Sequence, residues 1–179
     1  MKIERDTGFI VERNKTAFQF VEETVPKIKW LRGIGNRKDY YYPLNYYLLG
    51  LRQKMLHTSD YLFNKYLKSY SKTKELIYYH LWNGTEQTSC RWHNDFCEGA
   101  NVMFLLYFTD MEKTSGGEIM FRNVEENNRI TCFHLPQKYD VLMGSQDKNF
   151  EHRVEHFRDP SVQRITMNFG FKVDNSPWT

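Results

Sequence analysis

The chain of 179 residues is 40% hydrophobic and 26% charged with a net charge of +3, which is ordinary for one globular domain. Its longest apolar run, residues 102–108, is far shorter than the roughly 20 residues of a membrane-spanning helix. The N-terminus lacks the apolar stretch of a signal peptide. Three cysteines make an odd count, which argues against a disulfide framework. We therefore expect a cytoplasmic protein with reduced cysteines, one domain over residues 1–179 and no membrane contact.

The first part of the chain shows helical spacing. Residues 14–25 predict a helix, and the glycines of residues 33–36 predict a turn. Apolar side chains then recur three and four residues apart in two stretches, 44–55 and 62–70. The polar residues 57–59 predict a break between these two helices, because a Ser or Thr there can cap the second one.

The stretch of residues 27–82 is basic and rich in tyrosine. It holds eleven Lys and Arg against three acidic residues, a net charge of +8, and ten of the twelve tyrosines. Basic residues interleaved with aromatic ones can bind nucleic acid through phosphate contacts and base stacking. The same composition fits a helical layer whose tyrosines pack inward and whose lysines face water. Both interpretations stay open at this point.

The rest of the chain predicts seven short strands, separated by turn signals rich in Gly, Asn and Pro. These strands cover residues 76–82, 101–108, 118–121, 129–134, 141–143, 151–157 and 164–172. In the last strand Ile165, Met167 and Phe169 form an apolar face, while Arg164 and Thr166 begin a polar face that can line a pocket. Helices followed by several strands predict an α+β fold, with a β-sandwich or barrel backed by helices.

Three residues have the types and spacing of a metal site. His93 and Asp95 project to the same side of an extended segment, and His152 can add a third ligand from a distant strand. Two imidazoles and one carboxylate form the facial triad of non-haem Fe(II) oxygenases, which leaves positions open for a cosubstrate and O2. The His-x-Asp pattern is weak alone. A later His, followed by Arg-x-Thr at residues 164–166, makes it much stronger.

These motifs resemble those of the 2-oxoglutarate/Fe(II)-dependent dioxygenases, and most closely the prolyl 4-hydroxylase-like branch. The similar runs are Trp92-His93-Asn94-Asp95, Leu106-Tyr107-Phe108-Thr109-Asp110, Gly116-Gly117-Glu118-Ile119, His152-Arg153-Val154 and Arg164-Ile165-Thr166. The resemblance implies a double-stranded β-helix, a jelly-roll or cupin-like barrel, over residues 76–173. Residues 1–75 carry no motif of the family and are expected to form the helical layer behind that barrel.

The resemblance also implies a role for each matching residue. The positions that match the family's iron ligands are His93, Asp95 and His152. Arg164 matches the arginine that pairs with the distal carboxylate of 2-oxoglutarate, Tyr107 matches a tyrosine that binds the same group, and Thr166 can add a second hydroxyl. Ile119 would form an apolar wall of the cosubstrate pocket. Trp82 stands roughly where relatives often have a tyrosine.

The implied reaction uses Fe(II), 2-oxoglutarate and O2, with ascorbate as an optional reductant. It hydroxylates a C–H bond and releases succinate and CO2. The favoured substrate is a prolyl or other side chain of a protein or peptide, held in a groove between Trp92, Phe96 and the loops at 86–89 and 112–115. Nucleic acid and a free amino acid are the alternative substrates. A β-barrel binding module with a degenerate site is the alternative that is not an enzyme.

Other assignments of the metal-binding residues remain open at this stage. His156 competes with His152 for the third position, and His93 with Asp95 can be a hydrogen-bonded pair at a strand end. Cys90 and Cys97 can hold zinc together with histidines, although six residues separate them instead of the usual two to four. The family's basic residue before the Tyr107 strand is absent here, which leaves the substrate class undetermined.

Overall fold

The computed structural model describes residues 8–33, 40–84, 91–94, 99–159, 161–175 and 177–178. Ten β-strands and one regular α-helix, α1 (Leu51–Leu62), form its framework. The strands are β1 (Phe9–Arg13), β2 (Trp30–Arg32), β3 (Tyr40–Pro43), β4 (Glu75–Gly84), β5 (Val102–Tyr107), β6 (Ile119–Asn123), β7 (Arg129–His134), β8 (Asp140–Ser145), β9 (Phe150–Val154) and β10 (Arg164–Lys172). The seven strands predicted from the second part of the sequence are therefore confirmed.

The strands form two antiparallel sheets that face each other. The larger sheet has the order β1-β8-β5-β10-β4-β3-β2, and the smaller one has the order β7-β6-β9. An apolar layer joins the sheets, because side chains of β5 and β8 meet side chains of β6 and β7. Its members are Met103, Leu105, Tyr107, Ile119, Phe121, Cys132 and Leu142.

The opposite face of the larger sheet packs against the helical part of the chain. Met167, Phe169 and Phe171 of β10 are fully buried there, together with Leu51 and Met55 of α1. Since the other face of β10 is buried as well, this central strand is covered on both sides. The predicted alternation of an apolar and a polar face in β10 is confirmed, and its polar face lies inside the molecule.

The N-terminal third is less helical than expected. The predicted helix at 14–25 contains only two short 3-10 helices, Lys15–Phe18 and Val25–Lys27, with turns between them. Strands β1, β2 and β3, which the sequence pattern did not predict, extend the larger sheet at both edges. Two of these strands depend on partners far along the chain, since β1 pairs with β8 and β3 pairs with β4, while β2 pairs with β3. Much of the predicted turn at 33–36 lies outside the described residues.

The predicted helix break at residues 57–59 is wrong. Helix α1 passes through Thr58 and Ser59, and a π-helical segment, Phe63–Leu67, continues it. The Thr58 hydroxyl donates to the Lys54 carbonyl oxygen at 3.0 Å, and the Ser59 hydroxyl donates to that of Leu56 at 2.7 Å. These bonds satisfy both buried hydroxyls within the helix, so the polar residues do not end it.

The predicted turn at Gly116 and Gly117 is confirmed. Both glycines have positive φ angles, 74° and 77°, immediately before the strand that begins at Ile119. A Cβ atom on Gly116 would lie 2.0 Å from the carbonyl oxygen of His156, so the close approach of these two backbones requires a glycine. The division into a 1–75 layer and a 76–173 core within one domain stays a prediction, although strands from both parts share the larger sheet.

No helix among the described residues has the length and hydropathy needed to cross a membrane.

Candidate functional site

Two histidines face each other where an extended segment meets β9. His93 and His152 form an isolated antiparallel bridge, in which the His93 amide donates to the His152 oxygen at 3.1 Å and the His152 amide donates back at 2.8 Å. Their imidazole centroids are 4.4 Å apart, with the ring planes at 53°. His93 Nδ1 lies 2.8 Å from the backbone oxygen of Arg91, which can only accept, so this nitrogen carries the proton. The lone pair of His93 is then on Nε2, where it can bind a metal.

The second histidine is buried and uncharged. Burial, together with the neighbouring His93 and the positive charge of Arg164, lowers the pKa of His152 to about 3. The ring therefore stays neutral at physiological pH, which is the form that binds metal ions. His156, the alternative third ligand, is exposed and follows the end of β9. The burial of His152 and its contact with His93 favour it over His156.

The predicted carboxylate ligand, Asp95, lies outside the described residues, as do Cys90 and Cys97 of the zinc alternative. Within the described residues, no group of three or more His, Cys, Asp and Glu side chains converges on one point. The structure therefore brings together two of the three predicted iron ligands, and the place of Asp95 beside them stays a prediction. Cys132, a described cysteine, is free, and burial raises its pKa to about 12.

A buried arginine lies close to the histidine pair. Arg164 begins β10, is 5% exposed, and donates through Nη1 to the Gly117 carbonyl oxygen at 3.1 Å. Its guanidinium carbon is 5.9 Å from the centroid of the Tyr107 ring and 6.0 Å from that of Phe157. Among the described residues, no carboxylate pairs with this charge, and Nε has no hydrogen-bond partner. A buried guanidinium in this state suits an anionic ligand.

Like Arg164 Nε, two buried hydroxyls have no hydrogen-bond partner among the described residues. Thr166 lies directly opposite Tyr107 on the neighbouring strand β5, so both side chains point to the same face of the larger sheet. Both residues are fully buried, and neither hydroxyl has a hydrogen-bond partner in the described part of the chain. Burial raises the pKa of the Tyr107 phenol, although the charge of Arg164 opposes this. The phenol therefore stays protonated and can donate.

The remaining predicted residues frame these donors. Ile119, 1% exposed, comes from the smaller sheet and packs in the same apolar layer as Tyr107. Trp82 lies opposite Thr166 on the other side of β10. Its ring stacks on His80 at 5.6 Å between centroids, and His80 stacks on Tyr78 at 5.4 Å. Trp82 therefore begins a row of rings along β4.

The three donor side chains suit a carboxylate group, such as the distal carboxylate of 2-oxoglutarate. A guanidinium Nε–H and two hydroxyls, all buried without an acceptor, would leave unsatisfied polar groups of a kind that folded proteins avoid. A carboxylate supplies several lone pairs in a small volume and satisfies such groups. The neighbouring imidazoles of His93 and His152 provide nitrogen ligands of the kind that iron accepts.

Two further polar groups of this interior were given no functional role from the sequence. Asn168 follows Thr166 on the same face of β10, is 5% exposed, and its Oδ1 has no partner among the described residues. His134 lies with its ring centroid 6.2 Å from that of Tyr107 and its Nε2 3.0 Å from Asp140 Oδ2. Burial lowers the pKa of His134, and Asp140 opposes that shift. The alternation of β10 predicts Asn168 on the polar face, whereas no sequence signal connects His134 with Asp140.

The predicted substrate groove needs one correction. Trp92 does not face a groove over the histidines, because its ring lies against the side chains of Arg122 and Arg153 on the outer face of the smaller sheet. Strand alternation explains the difference, since His93 faces inward and its neighbour must point outward. Phe96 and the loop at 86–89 lie outside the described residues, while the loop at 112–115 is a turn before Gly116.

No protein-family model matches the sequence, and neither does any curated protein. Comparison of structures gives clear matches. An oxidoreductase of the 2-oxoglutarate/Fe(II) oxygenase family from Burkholderia pseudomallei is 10% identical, with a TM-score of 0.69 over 94% of this chain and 86% of that one. A prolyl hydroxylase from Trichoplax adhaerens, in complex with a peptide of the hypoxia-inducible factor, is 14% identical, with a TM-score of 0.62 over 93% and 84%.

HygX from Streptomyces hygroscopicus, with nickel, 2-oxoglutarate and hygromycin B bound, is 12% identical, with a TM-score of 0.59 over 93% of this chain and 83% of that one. At these identities the matches establish the fold. The predicted fold class is confirmed, with one regular α-helix as the main helical backing among the described residues. The chain has the double-stranded β-helix fold of the 2-oxoglutarate/Fe(II) oxygenases, prolyl hydroxylases among them.

Proposed function

We propose that this protein is an Fe(II)- and 2-oxoglutarate-dependent oxygenase that hydroxylates a C–H bond. The observation that carries the proposal is the position of His93 and His152 near three buried donors that have no acceptor among the described residues, which come from Arg164, Tyr107 and Thr166. A fold shared with oxygenases of this class supports it. The sequence contains all three predicted iron ligands and Arg164, and a degenerate binding module would be expected to have lost at least one of them.

In this proposal His93, Asp95 and His152 hold the iron. When bound, Fe(II) with 2-oxoglutarate and O2 supplies the oxidising power for hydroxylation, and succinate and CO2 are released. The contribution of the chain is to bind and orient. Arg164, Tyr107 and Thr166 hold the distal carboxylate of 2-oxoglutarate, and Ile119 and the apolar layer keep water from the pocket. Trp82, which lies opposite Thr166, is proposed to border the same pocket.

We propose a protein or peptide as the substrate, oxidised at a prolyl or other side chain. The peptide complex of the Trichoplax prolyl hydroxylase supports a peptide, since that protein shares the fold. HygX, which carries hygromycin B, keeps a small molecule such as a free amino acid as the second candidate. The cytoplasmic location and the use of ascorbate stay predictions.

The described residues give no support to nucleic acid as the substrate. Five tyrosines of the basic stretch pack against the core instead of lying open for base stacking; these are Tyr46, Tyr61, Tyr66, Tyr70 and Tyr79. Two of its lysines are engaged by carboxylates, Lys65 by Glu12 and Lys74 by Asp60. The interpretation as a structural layer therefore fits the observed packing better.

The reaction class is tested by the conversion of labelled 2-oxoglutarate into succinate with Fe(II) and O2, in the presence of a mixture of prolyl-containing peptides. We expect succinate from the native protein and at least a 100-fold loss in Asp95→Ala, because two imidazoles alone hold iron poorly. His156→Ala serves as the matched control and should retain activity. Asp95→Ala with native activity, or His156→Ala without any, would overturn the ligand assignment.

Replacement of Arg164 by alanine should weaken 2-oxoglutarate binding by roughly 10- to 100-fold, because a hydrogen-bonded charge pair contributes about 1.5–3 kcal/mol. The dissociation constant can be measured by calorimetry on protein loaded with an inert divalent metal. Arg129→Ala is a suitable control, since Arg129 and its partner Glu126 are both exposed. Equal affinities in the native protein and Arg164→Ala would place the carboxylate elsewhere.

Replacement of Tyr107 by phenylalanine should have opposite effects on stability and on binding. The fully buried hydroxyl has no partner in the described structure, so its removal should stabilise the ligand-free protein by about 1 kcal/mol. The same change removes a donor from the proposed carboxylate site and should weaken 2-oxoglutarate binding severalfold. Denaturant unfolding and calorimetry measure the two quantities. A less stable variant with unchanged affinity would show that the hydroxyl has a structural role.

A further inference from the structure

The indole of Trp92, one residue before His93, lies over two guanidinium groups. The Arg122 carbon is 4.6 Å and the Arg153 carbon is 5.1 Å from the ring centroid. Both distances are within the range of cation–π contacts, which are strongest with tryptophan. Arg122 belongs to β6 and Arg153 to β9, and these two strands pair. One side chain therefore spans two neighbouring strands of the smaller sheet.

The two guanidinium groups are themselves held in place. Arg122 Nε donates to Glu151 Oε2 at 2.8 Å, and Arg153 Nη2 donates to Glu155 Oε2 at 2.7 Å. Planar guanidinium groups that are fixed by carboxylates can still stack on an aromatic face. Trp92 thus packs on side chains that are held in place. One of them, Arg153, belongs to β9, the strand that carries His152.

The inner face of the same strands holds the histidine pair. Phe121 of β6 and His152 of β9 are directly opposite each other, with ring centroids 5.6 Å apart. Arg122 and Arg153 are their immediate neighbours and point outward, because successive residues of a strand alternate between faces. Trp92 and His93 show the same alternation, so the indole of Trp92 lies on the outer face of the sheet and the imidazole of His93 lies on the inner face.

We propose that Trp92 is a positioning residue, whose indole on Arg122 and Arg153 fixes the backbone of His93 against His152. In the described part of the chain, the bridge between the two histidines is an isolated one, with one pair of reciprocal amide bonds. The indole adds a second attachment on the other side of the sheet. It presets the separation of the two imidazoles before any metal binds. Its role in iron binding rests on the proposed function, whereas its role in the backbone geometry does not.

The test uses Trp92→Ala, Trp92→Phe and the matched control Phe133→Ala. Phe133 is an aromatic residue of β7 in the same sheet, 62% exposed and remote from the bridge in the strand order. NMR-detected hydrogen exchange is measured at the amides of His93 and His152 in metal-free protein. We expect about a tenfold acceleration in Trp92→Ala, near-native rates in Trp92→Phe and no change in Phe133→Ala. Arg122→Gln, which removes one cation, should fall in between.

Anaerobic Fe(II) titration of the same variants gives the second readout. The affinity should fall roughly 10- to 100-fold in Trp92→Ala, as for other changes around metal ligands, and should recover in Trp92→Phe. Native exchange rates in Trp92→Ala, or the same acceleration in Phe133→Ala, would overturn the positioning role. A native protein that does not bind Fe(II) would instead overturn the proposed function and leave the exchange result to decide the positioning role. If Trp92→Ala does not fold, Arg122→Gln and Trp92→Phe are compared by the same two measurements. Native exchange rates and native Fe(II) affinity in Arg122→Gln would then overturn the positioning role.

Discussion

The burial of the Arg164 guanidinium without a carboxylate partner among the described residues is the feature on which this account depends. A charge removed from water costs several kcal/mol unless it is paired and hydrogen-bonded. Among the described residues, its side-chain hydrogen bond goes to the Gly117 carbonyl, and the hydroxyls of Tyr107 and Thr166 have no partner. Such a cluster would destabilise the protein without a ligand, and this cost is the physical ground for the negatively charged ligand that we propose.

Strand register assembles the site from distant parts of the sequence. Because β10 lies between β4 and β5, Thr166 has Trp82 on one side and Tyr107 on the other. The bridge between His93 and His152 adds the proposed metal-binding edge. A slip of one residue in any of these pairings would turn the side chains to the opposite face. The apolar contacts on both faces of β10 therefore hold the donors of the pocket in place as well as stabilise the fold.

The strands and much of the pocket could be predicted because their pattern is local. Alternation in residues 164–172 assigns Phe169 and Arg164 to opposite faces of the strand, whatever the neighbouring strands are. The two adjacent glycines predict the turn at 116–117. Strands β1 to β3 could not be predicted, because short segments become strands only when the sheet offers an edge. The outward turn of Trp92 also depends on Arg122 and Arg153, which lie 30 and 61 positions away in the sequence.

The most direct test of the central claim is an anaerobic titration of the metal-free protein with Fe(II) and then 2-oxoglutarate, followed by visible absorption. We predict a charge-transfer band that appears only when both are present. The band requires 2-oxoglutarate to be held by its distal carboxylate while it binds the iron that the imidazoles hold. His152→Ala should lose the band while it retains the fold. A folded native protein that binds 2-oxoglutarate without the band, or binds neither component, would contradict the assignment of this interior as an oxygenase site.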